Sequence, residues 1–261
     1  MSLGDINLLY SLAGLAVGIL VGLTGVGGGS LMTPLLVLAF GFHPVTAVGT
    51  DLLYASATKT VGAGVHGMHG TVDWKVVRRL ATGSVPATIL TLLMLAYAGR
   101  RFEGTEHVIT VMLGVGLIAT AIAMLFRRQI LAYFADGIDA MSDGGIARLT
   151  ITLGAILGVL VSLSSVGAGA VGMTALLVLY PNLPVNRLVG SDIAHAVPLT
   201  LIAGTGHWVM GSVDFHLLLS LLVGSVPGII IGSLISTRIS DRFLRPILAG
   251  TLAIVGGKLI F

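Results

Sequence analysis

Val48-Gly49-Thr50-Asp51 and Val189-Gly190-Ser191-Asp192 stand 141 residues apart, and the match between them decides how the whole chain is read. At that offset His66 falls on His207, and Gly70-Thr71-Val72-Asp73 falls on Gly211-Ser212-Val213-Asp214. Gly83-Ser84-Val85-Pro86 likewise falls on Gly224-Ser225-Val226-Pro227. At an offset of 140, Gly27-Gly28-Gly29 meets Gly167-Ala168-Gly169, and Pro44-Val45 meets Pro184-Val185. One residue of slippage over such a length marks an internal duplication. The halves are residues 1–126 and 149–261, joined by the polar segment 127–148 with Arg127, Arg128, Asp136, Asp139 and Asp143.

What the halves are made of sets their environment. Of the 261 residues, 55% are hydrophobic and 10% charged, and mean hydropathy is +1.03. A soluble domain carries about 25% charge, because it must cover its core with a polar surface. Apolar runs fall at roughly 8–23, 30–42, 45–67, 74–98 and 106–126, then at 149–164, 170–181, 185–209, 215–236 and 243–261. Those beyond about 18 residues are long enough to span a bilayer. The 37 glycines lie inside these runs, as they do in packed transmembrane helices. The composition therefore predicts an all-α polytopic membrane protein. It excludes a soluble enzyme and a DNA-binding module, and the absence of cysteine excludes a disulfide scaffold. The +3 charge is scattered in pairs at segment ends, so the expected partner is the lipid bilayer and not nucleic acid. No basic residue precedes the first apolar run, so the first helix is expected to be retained and not cleaved as a signal.

Charge also predicts how the repeats are related. If 8–42 crosses twice, or dips in and returns, each half crosses an odd number of times and the halves are inverted. One side then receives Lys75, Arg78, Arg79, Arg127, Arg128, Arg148, Arg187, Arg238, Arg242 and Arg245, and the other only Arg100, Arg101 and Lys258. A single crossing by 8–42 and by 149–181 would remove the bias. Lys/Arg excess marks the cytoplasmic side. The expectation is two inverted repeats of about five membrane segments each, 127–148 as a cytoplasmic linker, and both termini extracytoplasmic.

The segments 30–42 and 170–181 are short, and each follows a glycine-rich break, Gly25-Val26-Gly27-Gly28-Gly29 and Ser165-Val166-Gly167-Ala168-Gly169. Inverted-repeat transporters hold their substrate near the midplane, between such interrupted helices. Backbone freed at that depth must line a cavity or be buried in protein. Glycine leaves N–H groups accessible, and a helix N-terminus attracts an anion. Ser30 is placed to cap the short helix after the first turn. The candidate substrate-binding residues are Thr24, Gly27, Gly28, Gly29, Ser30, Lys59, Ser164, Ser165 and Gly167, with Ser162 nearby. The competing explanation is close helix packing through small residues.

Ionisable residues within apolar segments give the second signal. Asp51, Lys59 and His66 fall within about 80° of one another on a helix, forming one polar stripe. Lys59 has Thr200 as its repeat counterpart, so it breaks the symmetry. It is a counter-charge for an anion, a proton carrier, or the partner of Asp51. Asp51, Asp192, His66, His195 and His207 are candidates for ion coupling or gating, or for helix capping and packing. Gly70–Asp73 and Gly211–Asp214 read as tight turns with Asp at the N-cap. Gly83–Pro86 and its copy read as Pro-kinked helix positions satisfied by the neighbouring serine. Trp74 and Trp208 read as interface anchors. His66 and His69 are a poor metal pair without cysteine, and no metal or other cofactor is expected.

Gly25-Val26-Gly27-Gly28-Gly29-Ser30-Leu31-Met32-Thr33-Pro34, the helix start Ala47-Val48-Gly49-Thr50, and the turn Gly70-Thr71-Val72-Asp73-Trp74 resemble the sulfite exporter TauE/SafE family. The second-half copies extend the resemblance over nearly the whole chain, with a degraded second turn and Thr174 aligned on Pro34. The resemblance implies an inner-membrane permease for small sulfur-containing anions such as sulfite, sulfoacetate or other organosulfonates. The expected function is thus alternating-access transport of such an anion. The alternatives are a permease for a carboxylate or a metal ion, an anion channel, and an intramembrane enzyme with a Ser164 or Ser165–His195 dyad. Glycine-rich faces serve contacts within and between chains, so the oligomeric state stays open, a homo-oligomer included.

Overall fold

The computed structural model describes residues 6–24, 28–101, 141–166 and 169–235, with scattered positions between 111 and 133. Its helices are α1 (Leu8–Thr24), α2 (Gly28–Leu38), α3 (Pro44–Met68), α4 (Trp74–Arg101), α5 (Asp143–Ser164), α6 (Ala170–Leu179), α7 (Val185–Val209) and α8 (Phe215–Ile235). No strand occurs among the described residues. Trp74–Tyr97 of α4 and all of α5, α7 and α8 are long and apolar enough to cross a bilayer. The protein is an all-helical, multi-pass membrane protein. Most of the apolar run at 106–126 and all of 243–261 lie outside the described residues, so each repeat is seen through four helices.

Local chemistry sets the boundaries. Gly70 (φ 63°) and Gly211 (φ 80°) take the left-handed conformation that ends α3 and α7. Asp73 Oδ1 then accepts from the Lys75 and Val76 N–H groups, and Asp214 Oδ1 from the Leu217 N–H. These are the expected N-caps of α4 and α8. Helix α5 opens on Ser142, whose hydroxyl accepts from the Gly145 N–H, so residues 143–148 of the polar segment are helical. The one-residue slip between repeats falls at the start of α3 and α7. Pro44 is the first helical residue of α3, whereas Pro184 is the N-cap of α7.

Each short helix doubles back. Tyr10, near the start of α1, packs edge-on against Phe40 and Phe42 beyond the end of α2, with ring centroids 4.9 and 5.9 Å apart. In the second half Thr150, near the start of α5, bonds the Tyr180 hydroxyl beyond α6 at 2.8 Å. At an offset of 140, Tyr10 and Phe40 correspond to Thr150 and Tyr180. The same joint is made once with rings and once with hydroxyls. An 11-residue helix such as α2 rises about 16 Å, roughly half of a 30 Å hydrocarbon core. Each pair is therefore a hairpin whose second arm folds back along the first.

Glycine contacts fix the helix directions. A side chain at Gly14, Gly18 or Gly22 of α1 would strike the backbone of α8 at Leu221, Ser225 or Ile229. Gly224, Gly228 and Gly232 of α8 would strike α1 at Ser11, Leu15 and Ile19. The two helices run parallel, locked through small residues. Helices α4 and α5 do the same, with Gly154 and Gly158 against Leu80 and Ser84, and Gly83 against Ile151. In contrast, α3 and α7 run antiparallel: Gly49 meets His207, Leu53 meets Gly204, Gly62 meets Ile193, and His66 meets Gly190. The Gly49–His207 and His66–Gly190 contacts are repeat counterparts of one another.

Two bundles result, each mixing the repeats. Val17, Met32, Leu36, Tyr54, Leu221 and Ile229 form a core among α1, α2, α3 and α8. Val76, Leu80, Met173, Leu176, Leu188 and Ile193 form its counterpart among α4, α6 and α7. Buried residues make up 72% of the α7 span but 22% of that of α4. Thus α3 and α7 cross at the centre, while α4 turns Leu90, Leu93 and Met94 outward. Asp143 bridges Lys75 (3.0 Å) and Arg79 (2.6 Å), placing the starts of α4 and α5 at one end. The Asp73 N–H donates to Ser191 Oγ at 2.8 Å and brings the start of α7 there too. That end carries Lys75, Arg78, Arg79, Arg148 and Arg187.

Candidate functional site

Lys59 lies about midway between the Gly49–His207 and His66–Gly190 contacts, near the centre of the α3–α7 crossing. It is 2% exposed. No carboxylate of the described residues lies within ion-pair distance of it. Its strongest charged neighbour is Asp192, followed by Asp51, and its field also reaches His195. Along α3 it stands eight residues from Asp51, about 12 Å of helix rise. A buried ammonium without a direct partner is costly, so its retention at the crossing points to work done there.

The two aspartates are repeat counterparts with unlike surroundings. Asp51 is the eighth residue of α3, not a cap. Its Oδ2 accepts from Thr33 Oγ1 at 2.5 Å and from Ser165 Oγ at 2.9 Å. The second bond joins the halves, because Ser165 ends α5 at the vertex of the second hairpin. Ser165 holds φ 56°, the one positive φ outside glycine among the described residues. Its N–H donates to the Val161 carbonyl at 2.8 Å in a left-handed C-cap. That conformation costs a non-glycine residue roughly 1 kcal/mol, held here by the cap and by the Asp51 bond. Asp192 is fully buried, and neither of its oxygens has a hydrogen-bond partner.

The histidines divide by role. His195 is fully buried and its Nε2 meets Ser84 Oγ at 2.8 Å. This excludes the dyad with Ser164 or Ser165, whose hydroxyls are engaged elsewhere. His207 Nε2–H donates to the Ser162 carbonyl at 2.9 Å, tying α7 to α5. His66 Nδ1 shares a hydrogen bond with Thr71 Oγ1 at 2.9 Å and braces the turn after α3. Lys59, Asp51, Asp192, Ser165 and His195 therefore belong to one central cluster, while His66 and His207 belong to helix ends and helix packing.

The glycine turns are seen only in part. Gly27 and Gly167 lie outside the described residues, as do the side chains of Thr24 and Ser30. Gly28 and Gly29 form the first turn of α2. Ser30 is the third residue of that helix and does not cap it, because the chain is already helical at Gly28. Ser164 Oγ donates to the Leu160 carbonyl at 2.7 Å and accepts from the Val166 N–H at 3.3 Å. Two cluster members carried no assigned site role in the sequence. Thr33 reads as an unremarked residue before Pro34. Ser84 reads as a serine satisfying a proline-broken helix, but its hydroxyl goes to His195. Its copy Ser225 bonds Thr58 at 2.8 Å beside Tyr54, the counterpart of His195.

Known proteins match the chain along almost its full length. Residues 10–259 match the family described as Sulfite exporter TauE/SafE. The probable membrane transporter protein YjnA of Bacillus subtilis (strain 168) is 40% identical over 250 residues, covering 95% of this chain and 98% of the relative. YdhB of the same organism, also named a probable membrane transporter protein, is 29% identical over 248 residues, 94% and 96% of the two chains. MJ0441 of Methanocaldococcus jannaschii, likewise named, is 26% identical over 265 residues, 95% and 93% of the two chains. No solved structure matches. A duplicated helical membrane fold with a buried ionisable centre, matched along almost its full length, belongs to the sulfite exporter TauE/SafE family of membrane transporters.

Proposed function

We propose that the protein is a secondary transporter that moves a small sulfur-containing anion, such as sulfite, sulfoacetate or another organosulfonate, across the inner membrane by alternating access. The observation that carries this reading is Lys59, a buried charge at the crossing of α3 and α7 with no ion pair among the described residues. An oxyanion beside it receives the charge complement that a dry interior otherwise lacks. The hairpin vertices, with Ser165 at one and Gly28 and Gly29 at the other, supply hydroxyls and backbone N–H groups. Asp51, Asp192 and His195 surround the same centre and are the candidates among which the group that takes a coupling ion is to be found.

Antiparallel counterpart helices α3 and α7, together with hairpins that return to their own side, support inverted halves. Rocking of the two mixed bundles about the crossing then alternates access to Lys59. The end bearing Lys75, Arg78, Arg79, Arg148 and Arg187 faces the cytoplasm by the excess of positive charge, with 127–148 on that side and both termini on the other. The test is flux of sulfite and small sulfonates into proteoliposomes. Lys59→Met is expected to abolish flux and Gly28→Leu to reduce it strongly. Unchanged flux in both variants overturns the site, and competition by divalent metal ions or carboxylates instead of sulfonates overturns the cargo.

A further inference from the structure

We propose that Asp192 carries the proton that accompanies the anion, while Asp51 stays fixed as part of the scaffold. The inference rests on the anion reading of Lys59 and adds the coupling ion and the residue that holds it. The duplicated sequence places two aspartates at equivalent positions, yet their neighbours differ. Asp51 is anchored by Thr33 and Ser165, both of which donate to its carboxylate. Loading a proton on its free Oδ1 removes the charge that strengthens both bonds to Oδ2, one of which joins the halves. Asp192 is equally buried but has no hydrogen-bond partner on either oxygen. A proton on Asp192 displaces nothing.

Lys59 is the charged group whose field reaches Asp192. Asp51, Tyr54 and His66 on α3 and Arg187, His195 and His207 on α7 are the other ionisable side chains of the two crossing helices. Helix α4 faces the cluster with Ser84. It keeps Lys75 and Arg79 at its start, where they meet Asp143 of α5, and α6 has no ionisable residue. Without substrate, an ionised Asp192 serves as counter-charge to Lys59. An incoming anion competes with it for the same ammonium and is repelled by it. Protonation of Asp192 removes the competitor. The cluster then holds one bound anion in place of one carboxylate charge, so empty and loaded carriers have the same net charge. Binding of anion and of proton are reciprocally coupled, and one proton travels with each monovalent anion.

The test is calorimetry of the full-length protein with isethionate, whose sulfonate charge does not change near neutral pH, in buffers of unlike ionisation enthalpy. The wild type is expected to take up about one proton per anion, with affinity falling about tenfold per pH unit in the alkaline range. Asp192→Asn is expected to bind without proton uptake and without pH dependence, whereas Asp51→Asn retains the uptake. Wild-type binding with no proton uptake overturns the proposal even if neither variant folds, and leaves the anion site standing. Uptake that survives in Asp192→Asn and vanishes in Asp51→Asn assigns the proton to the wrong aspartate and also overturns it. Failure of the wild type to bind isethionate, sulfite or sulfoacetate removes the anion site and this assignment with it.

Discussion

Asp51 and Asp192 occupy equivalent places in two copies of one fold, and only Asp51 is held by its neighbours. Around Asp51 a threonine and a serine converge on one carboxylate oxygen; around Asp192 both oxygens lack such partners. The backbone keeps the duplication, and the side chains depart from it around the α3–α7 crossing. Lys59 faces the centre where its copy is Thr200, whose hydroxyl folds back onto the Ala196 carbonyl. His195 bonds Ser84 where its copy Tyr54 sits beside Ser225. By contrast the scaffold contacts are paired across the repeats. The α1–α8 contacts of Gly14, Gly18 and Gly224 are matched in α4–α5 by those of Gly154, Gly158 and Gly83, and Asp73 to Ser191 is matched by Asp214 to Thr50. Symmetry marks what holds the fold, and its loss coincides with the proposed transport centre.

Mutation tests this difference between the centre and the scaffold. The largest effect is expected at the asymmetric centre. Lys59→Thr, which restores repeat symmetry, should lower anion transport at least about 100-fold, equivalent to about 2.7 kcal/mol, while the purified protein still elutes as folded. Retained transport would show that the broken symmetry is incidental. Next come the matched glycines. Gly18→Leu and Gly158→Leu each drive a side chain into the backbone of a parallel neighbour, at Ser225 and Ser84 respectively. Each should destabilise by about 3 kcal/mol or more, beyond ordinary overpacking of a core, read as lost folded yield and lowered melting temperature in detergent. Similar losses in both are expected, and a large loss in one alone would contradict the paired scaffold.

Smaller effects refine the Asp51 side of the contrast. Ser165→Ala removes a hydroxyl from Asp51 and keeps the left-handed strain, so it should cost about 1–2 kcal/mol. Ser165→Gly removes the same hydroxyl but relieves roughly 1 kcal/mol of that strain, and should melt above Ser165→Ala. The smallest effect belongs to the caps. Asp73→Ala and Asp214→Ala should each lose about 1 kcal/mol by thermal unfolding, with equal size in the two halves.

The scaffold was legible in the sequence because its causes are local or repeated. Hydropathy named the helices, Gly-x-x-Asp turns named their boundaries, and the offset of 140 to 141 named the correspondence. The glycine-broken hairpins were legible from the short segments after Gly29 and Gly169. The site was legible only through its charges. Lys59, Asp51 and Asp192 stand out in apolar helices whatever they touch. Thr33 and Ser84 do not, because a hydroxyl in a membrane helix commonly bonds its own backbone, as Thr60 does to the Ser56 carbonyl. Its use for Asp51 or His195 depends on long-range packing that no local pattern encodes. Ser30 misled for a related reason: the glycines before it were read as turn, whereas two of them begin the helix.

The measurement that tests the account most directly is a structure of the protein with a bound sulfonate or sulfite. The anion should lie in hydrogen-bonding contact with Lys59 Nζ at the α3–α7 crossing, with Asp192 beside it and Asp51 still held by Thr33 and Ser165. An ordered anion elsewhere in the membrane region, with Lys59 paired directly to Asp51 or Asp192, would contradict it.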